Sequence, residues 1–198
     1  GDQVVAISRN GITGIGEHPD LLDLKVDLTQ ADAVNAAIGS AVQRFGRLDT
    51  VINNAGRGLL GAIEEASDAE VQAVFDLNFK AVLNVLRATL PVLRTQRLGN
   101  VVNISSLAGV SGAASWGVYS ASKFAVEGLS EALAKETAAL GIKVLIVEPG
   151  ILRTDFLEDQ SLLVSETVIH DYDHSAGAAR RGVSDNRGNQ PGDPRLAA

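Results

Sequence analysis

The chain reads as an α/β protein built on a parallel sheet wound on both faces. Short β-branched runs alternate with longer helical patterns, five such runs follow one another, and no internal repeat breaks the alternation. The first run is residues 3–8 (QVVAIS). The second alternates through Leu22, Leu24 and Val26 and ends at Asp27. Thr29 then reads as an N-cap with Asp32 three residues on. Val34, Ala37, Ile38, Ala41, Val42 and Phe45 follow at the 3.6-residue period of an amphipathic helix, which Gly46 stops. Residues 48–53 (LDTVIN) read as a buried strand. Ser67 with Glu70 repeats the capping pattern before a long helix to about Arg94, whose end Pro91 is expected to kink or shorten. Residues 101–105 form the next strand, Tyr119 lies near the start of a helix ending at Leu140-Gly141, and residues 142–147 form a strand closed by Pro149-Gly150. From about Glu158 the pattern weakens, and residues 183–198 read as loop or disordered tail.

Composition narrows the function classes. A length of 198 residues suits one domain, and 45% hydrophobic residues supply a sizeable core. A net charge of -7 argues against nucleic acid as a partner, since phosphate binding needs a basic face. With no cysteine, disulfides and thiolate chemistry are excluded. No apolar run approaches the ~18 residues of a membrane span, and no signal peptide opens the chain. A soluble, cytoplasmic protein is expected. Methionine is absent even at position 1, so either an initiator was removed or the chain is a fragment.

The chemistry concentrates at strand ends. Tyr119-Ser120-Ala121-Ser122-Lys123 places a phenol and an ammonium four residues apart, hence on one helical face, with Ser106 thirteen residues upstream of the tyrosine. A lysine charge in contact with a phenol favours the phenolate and lowers its pKa from a reference of ~10. Asn53-Asn54-Ala55-Gly56 follows the LDTVIN strand at its carboxyl end, where open parallel sheets bind ligands. The competing reading is an ordinary turn. Asn78, a short amide inside a predicted helix, is either functional or bonded to neighbouring backbone. Ser105 and Ser106 end a third strand, and Glu148-Pro149-Gly150 with Thr154 ends the last. His170 and His174 lack a third ligand and are expected on the surface, with no metal site.

Over residues 1–157 the chain resembles the short-chain dehydrogenase/reductase family, through NNAG at 53–56, Asn78, VVNISS with Ser106, YSASK at 119–123 and EPGILRTDF at 148–156. The resemblance implies a Rossmann-like core over 1–157, then a substrate-lid segment and flexible tail over 158–198. It implies an NAD(P)-dependent oxidoreductase that interconverts an alcohol and a ketone or aldehyde. Tyr119 would be the general acid/base, and Lys123 would lower its pKa and hold the nicotinamide ribose. Ser106, with Ser105 as fallback, would bind the substrate oxygen, and Asn78 would anchor a water linking Lys123 to bulk. Asp27 would meet the adenine, unless it merely starts a turn. Asn53, Asn54, Ala55, Gly56, Pro149, Gly150, Leu152 and Thr154 would line the cofactor path. Ser8-Arg9 stands where the family binds the ribose hydroxyl through an acidic residue, so Arg9 favours NADP over NAD. A small carbonyl or alcohol is the expected substrate, and dimers or tetramers would form through the two long helices. A lyase or epimerase using the same tyrosine remains compatible with the motif.

One part of the family pattern is missing. Members begin with a strand and a glycine-rich turn that holds the pyrophosphate. Here Gly14-Ile15-Gly16 matches only the end of that motif, and too few residues separate it from Asp27. Residues 10–20 read instead as a variable loop after the family's second strand. The sheet is then incomplete, lacking its central strand between residues 3–8 and 48–53. A rival arrangement moves QVVAIS into that central place. The alternative function is a cofactor-free, non-catalytic relic.

Overall fold

A computed structural model describes residues 2–12, 16 and 18–196. The middle of the GITGIG segment, residues 13–15, lies outside the described residues. In chain order the strands are β1 (Val4–Ser8), β2 (Leu21–Lys25), β3 (Thr50–Asn53), β4 (Gly58–Leu60), β5 (Gly99–Ile104), β6 (Ile142–Val147) and β7 (Leu162–Val164). The helices are α1 (Ala31–Phe45), α2 (Asp68–Phe75), α3 (Ala81–Gln96), α4 (Gly117–Thr137) and α5 (Ala178–Asn186).

All pairings of these strands are parallel, but they form three separate ladders: β1-β2, β3-β5-β6 and β4-β7. β1 does not pair with β3. Between them lies a cavity of about 330 Å³, walled by Val5 and Ile7 on one side and Val51 on the other, with Ile38, Val82 and Val85 beneath. The sheet is therefore incomplete at its centre, and the rival arrangement with residues 3–8 beside 48–53 is ruled out.

The helices that cover the sheet lie on one face. Val51 and Val101, in register across β3 and β5, pack with Val34 and Ile38 of α1, Val82, Val85, Leu86 and Leu93 of α3, and Leu133 of α4. The next row, Ile52, Val102 and Leu145, points the other way, as strand alternation requires. Ile52 is 62% exposed and Leu145 56%, so that face is largely bare.

Several local expectations change. Gln30, not Thr29, is the N-cap of α1, because the Asp27 carboxylate accepts both the Thr29 amide and its hydroxyl, at 2.9 and 2.8 Å. Ser67 does cap α2, with Glu70 closing the box. The long helix after it is interrupted by a wide π-type turn at Asp76–Lys80. Pro91 neither ends nor shortens α3, which continues to Gln96. Gly141, at φ 74°, closes the 3-10 turn that extends α4. In the stretch read as loop or tail, residues 183–186 complete α5.

Candidate active site

Ser106, Tyr119 and Lys123 meet at the carboxyl edge of β5. Tyr119 and Lys123 occupy the first turns of α4, and both are buried, at 7% and 5% exposure. Ser106 follows β5 in extended conformation and caps the 3-10 turn Leu107–Gly109, its Oγ accepting the Ala108 amide at 3.1 Å. The Ser106 side chain also faces the Tyr119 phenol closely enough to favour its ionised form. Ser105, the fallback, is buried with no hydrogen-bond partner for its Oγ and is packed against Gly109.

The electrostatics differ from the sequence expectation. Burial lifts the Tyr119 phenol above its ordinary value, and the nearby Ser106 side chain offsets part of that rise. Lys123 does not lower it in this arrangement. Its Nζ donates to the Ile104 carbonyl at 2.8 Å and sits 5.9 Å from the tyrosine ring centroid. Burial lowers Lys123 itself to about 8, against the opposing pull of Glu127. The folded state thus binds this proton less tightly than the unfolded chain, so stability should rise with pH as the unfolded lysine still charges and the folded one does not. Between pH ~7.5 and ~9.5 the gain should be about 1–2 kcal/mol in urea unfolding and should vanish in Lys123→Met.

Asn78 lies in the π-type turn, 1% exposed. Its Oδ1 accepts the Arg57 amide at 2.8 Å, and its Nδ2 donates to the Arg57 carbonyl and to Ser122 Oγ, both at 2.9 Å. Ser122 in turn donates to the Tyr119 carbonyl at 2.7 Å. The amide is thus bonded to neighbouring backbone and ties the loop after β3 to α4. A Cβ on Gly56 would stand 3.3 Å from Asn78 Oδ1 and 3.5 Å from Lys123 Nζ. The glycine leaves a cradle over the lysine that a side chain would fill.

The remaining predicted positions are spread along the same edge. Asn53 is buried and turned inward, donating to Asn103 Oδ1 at 2.8 Å, while Asn103 donates to Ser130 Oγ. Asn54 and Ala55 are among the residues that line the cavity between β1 and β3. Arg9 and Asp27 are exposed at the ends of their strands, within charge reach of each other and of Arg57. Asp27 is held below its usual carboxylate value chiefly by Thr29, so the turn-starting reading accounts for its bonds. The Pro149 carbonyl accepts the Leu107 amide at 3.2 Å, and Gly150 lies against Leu107. Leu152 bridges to Gly192, and Thr154 caps the turn Asp155–Leu157. Residues 190–192 therefore lie along part of the expected cofactor path.

Four further residues shape the surroundings of the site. Phe156 stacks on Trp116 at 6.5 Å and leans on Tyr119 at 5.5 Å, so two aromatic rings cover the phenol. Arg57 brings a second guanidinium toward Arg9, and burial first, then the Arg9 charge, lowers its pKa. Glu65, fully buried, carried no local signal.

Parallel strands whose carboxyl ends gather a tyrosine, a lysine, a serine and a glycine cradle define an open-sheet α/β protein with its candidate site at that edge. The chain belongs to the short chain dehydrogenase family, whose model matches residues 4–162. It is 43% identical over 162 residues to a 3-ketodihydrosphingosine reductase of Bacteroides thetaiotaomicron, covering 82% of this chain and 59% of that protein. Among solved structures, a short-chain dehydrogenase from Streptomyces avermitilis superposes with a TM-score of 0.79 at 40% identity, covering 88% of this chain and 62% of that one. A family member from Burkholderia phymatum, in complex with NAD, gives a TM-score of 0.76 at 26% identity, covering 86% of this chain and 62% of that one. The chain thus spans about three fifths of each of these relatives. Among the described residues, no helix is long and apolar enough to cross a membrane.

Proposed function

We propose that this chain carries the proton-transfer site of an NAD(P)-dependent oxidoreductase that interconverts an alcohol and a ketone or aldehyde. The observation that supports this most is the convergence of Ser106, Tyr119 and a buried, weakly basic Lys123 beneath the Gly56 cradle. When bound, the nicotinamide supplies or accepts the hydride. Tyr119 gives its phenolic proton to the substrate oxygen in reduction and takes it back in oxidation. Ser106 Oγ donates a hydrogen bond to the same oxygen, where charge develops in the transition state. Lys123 holds the ribose and, once its ammonium is drawn toward the phenol, favours the phenolate. Asn78 keeps the loop beside Gly56 in place and would anchor the water linking Lys123 to bulk.

The cofactor would run from this cradle past Asn53, Asn54, Ala55, Pro149, Gly150, Leu152 and Thr154, with Asp27 toward the adenine. Arg9 and Arg57 lie within charge reach of each other, a pairing that suits a 2′-phosphate, so NADP is preferred over NAD. The aromatic cover by Trp116 and Phe156 suits an apolar ketone or alcohol, and the Bacteroides relative is named for such a ketone. Residues 158–198 serve as a substrate-covering segment. Cytoplasmic placement and self-association through α3 and α4 belong to the same reading.

A second reading, a cofactor-free and non-catalytic protein, draws support from the gap between β1 and β3. Titration with NADPH and NADH separates the two. Cofactor fluorescence and quenching of Trp116, the single tryptophan, should report binding, tighter for NADPH. No change up to millimolar NADPH would favour the second reading.

A further inference from the structure

Three carboxylates from one short stretch reach the segment after β7. Glu64 Oε2 accepts the Tyr172 hydroxyl at 2.8 Å, and Glu70 Oε1 accepts the Glu166 amide at 3.2 Å. Glu65, 2% exposed, accepts the Ala62 amide at 2.7 Å and the Ile169 amide at 2.9 Å, and is ion-paired with Arg180 of α5. Packing leaves no room for alternatives nearby: a Cβ on Gly61 would collide with the Ser165 side chain and stand 3.5 Å from Glu65 Oε2.

The segment these carboxylates hold has little else to hold it. α5 buries none of its own residues, and between residues 166 and 180 Ala176 is the one buried apolar side chain. A buried ion pair is a costly way to gain stability, since its desolvation offsets much of its attraction. It is, however, strongly directional. The same segment continues from the active-site cover. β7 pairs with β4, and a Cβ on Gly58 in β4 would meet Leu162 of β7 at 2.7 Å, Trp116 at 3.1 Å and Phe156 at 3.2 Å. A continuous run of contacts therefore links Arg180 and Glu65, through the β4-β7 pair, to the two rings that cover Tyr119.

We propose that Glu65, through its ion pair with Arg180, is a positioning residue that keeps residues 162–180 closed and so holds Trp116 and Phe156 over the Tyr119 phenol. The pair sets how readily a bulky apolar substrate reaches that phenol. The substrate clause rests on the oxidoreductase reading; the closure itself does not.

Glu65→Gln keeps the shape but removes the charge and replaces one of the two accepting oxygens with an NH2 donor. Hydrogen exchange of residues 162–180 should accelerate about tenfold, and acrylamide quenching of Trp116 should rise about twofold, with far-UV dichroism unchanged. Arg180→Met should do the same and Arg180→Lys should restore part of the protection, which keeps the test valid if the glutamate variant folds poorly. Faster exchange with unaltered Trp116 quenching would reduce Glu65 to a structural staple and overturn the proposal, as would no change in either. Failure of NADPH to bind the unmodified chain would count against the oxidoreductase reading alone, because both readouts are independent of cofactor.

Discussion

Tyr119→Phe is expected to lower turnover by about 10²–10⁴-fold while leaving cofactor affinity within about twofold. The ring that packs 5.8 Å from Trp116 and 5.5 Å from Phe156 is retained, so the aromatic cover keeps its shape. What disappears is the hydroxyl to which the oxidoreductase reading assigns proton transfer at the substrate oxygen. Single-turnover measurement of cofactor oxidation, with affinity measured separately, isolates that loss from binding. Under that reading, reduction by the unsubstituted protein needs the protonated phenol and oxidation the phenolate. Reduction should therefore slow, and oxidation quicken, as pH rises through the phenol's pKa. A phenylalanine variant that keeps more than about a tenth of the rate would remove Tyr119 from the role of acid/base. Lys123→Met should lose both turnover and affinity, because that side chain is assigned to the ribose as well as to the phenol.

Local pattern carried most of the sheet and the centre of the site. β-branched runs at β1, β3, β5 and β6 are visible without tertiary information, and so is the spacing of Tyr119 to Lys123, because helical geometry converts four residues into one face. The features that escaped depend on distant partners. The turn at Asp76–Lys80 contains Asn78, whose amide takes up the Arg57 backbone 21 positions away. β4 and β7 are three residues each and pair across the whole length of the active-site helix. α5 is too polar to be read as a packed helix, and Arg180 reaches Glu65 115 positions earlier. The direction of the Tyr119 pKa was misjudged for the same reason. Its dominant cause is burial, and the rings of Trp116 and Phe156 that cover the phenol are brought together only by the fold.

Supplying one more apolar strand to the space between β1 and β3 is expected to stabilise the protein by a few kcal/mol, or roughly 5–10 °C in melting temperature. Among the described residues β1 pairs only with β2 and β3 only with β5, so each presents a backbone edge toward the cavity. One parallel strand of about five residues can bond to both edges at the usual ~4.8 Å spacing. Its side chains on one face would enter the pocket lined by Ile38, Val82 and Val85, and those on the other would extend the exposed row of Ile52, Val102 and Leu145. Burial of each large apolar side chain contributes about 1.5–3 kcal/mol, and ordering costs about 1–2 kcal/mol per residue, so a net gain requires both faces to be apolar. A valine- and isoleucine-rich segment joined by a flexible linker ahead of residue 2, compared with the same segment carrying a central proline, gives the measurement. Equal melting temperatures for the two would mean that the cavity does not accept a strand. The same pair of proteins decides what the gap does to function. Asn54 and Ala55 line it, so a filled gap should fix the loop assigned to the cofactor path and tighten NADPH binding, whereas the proline segment should leave binding unchanged.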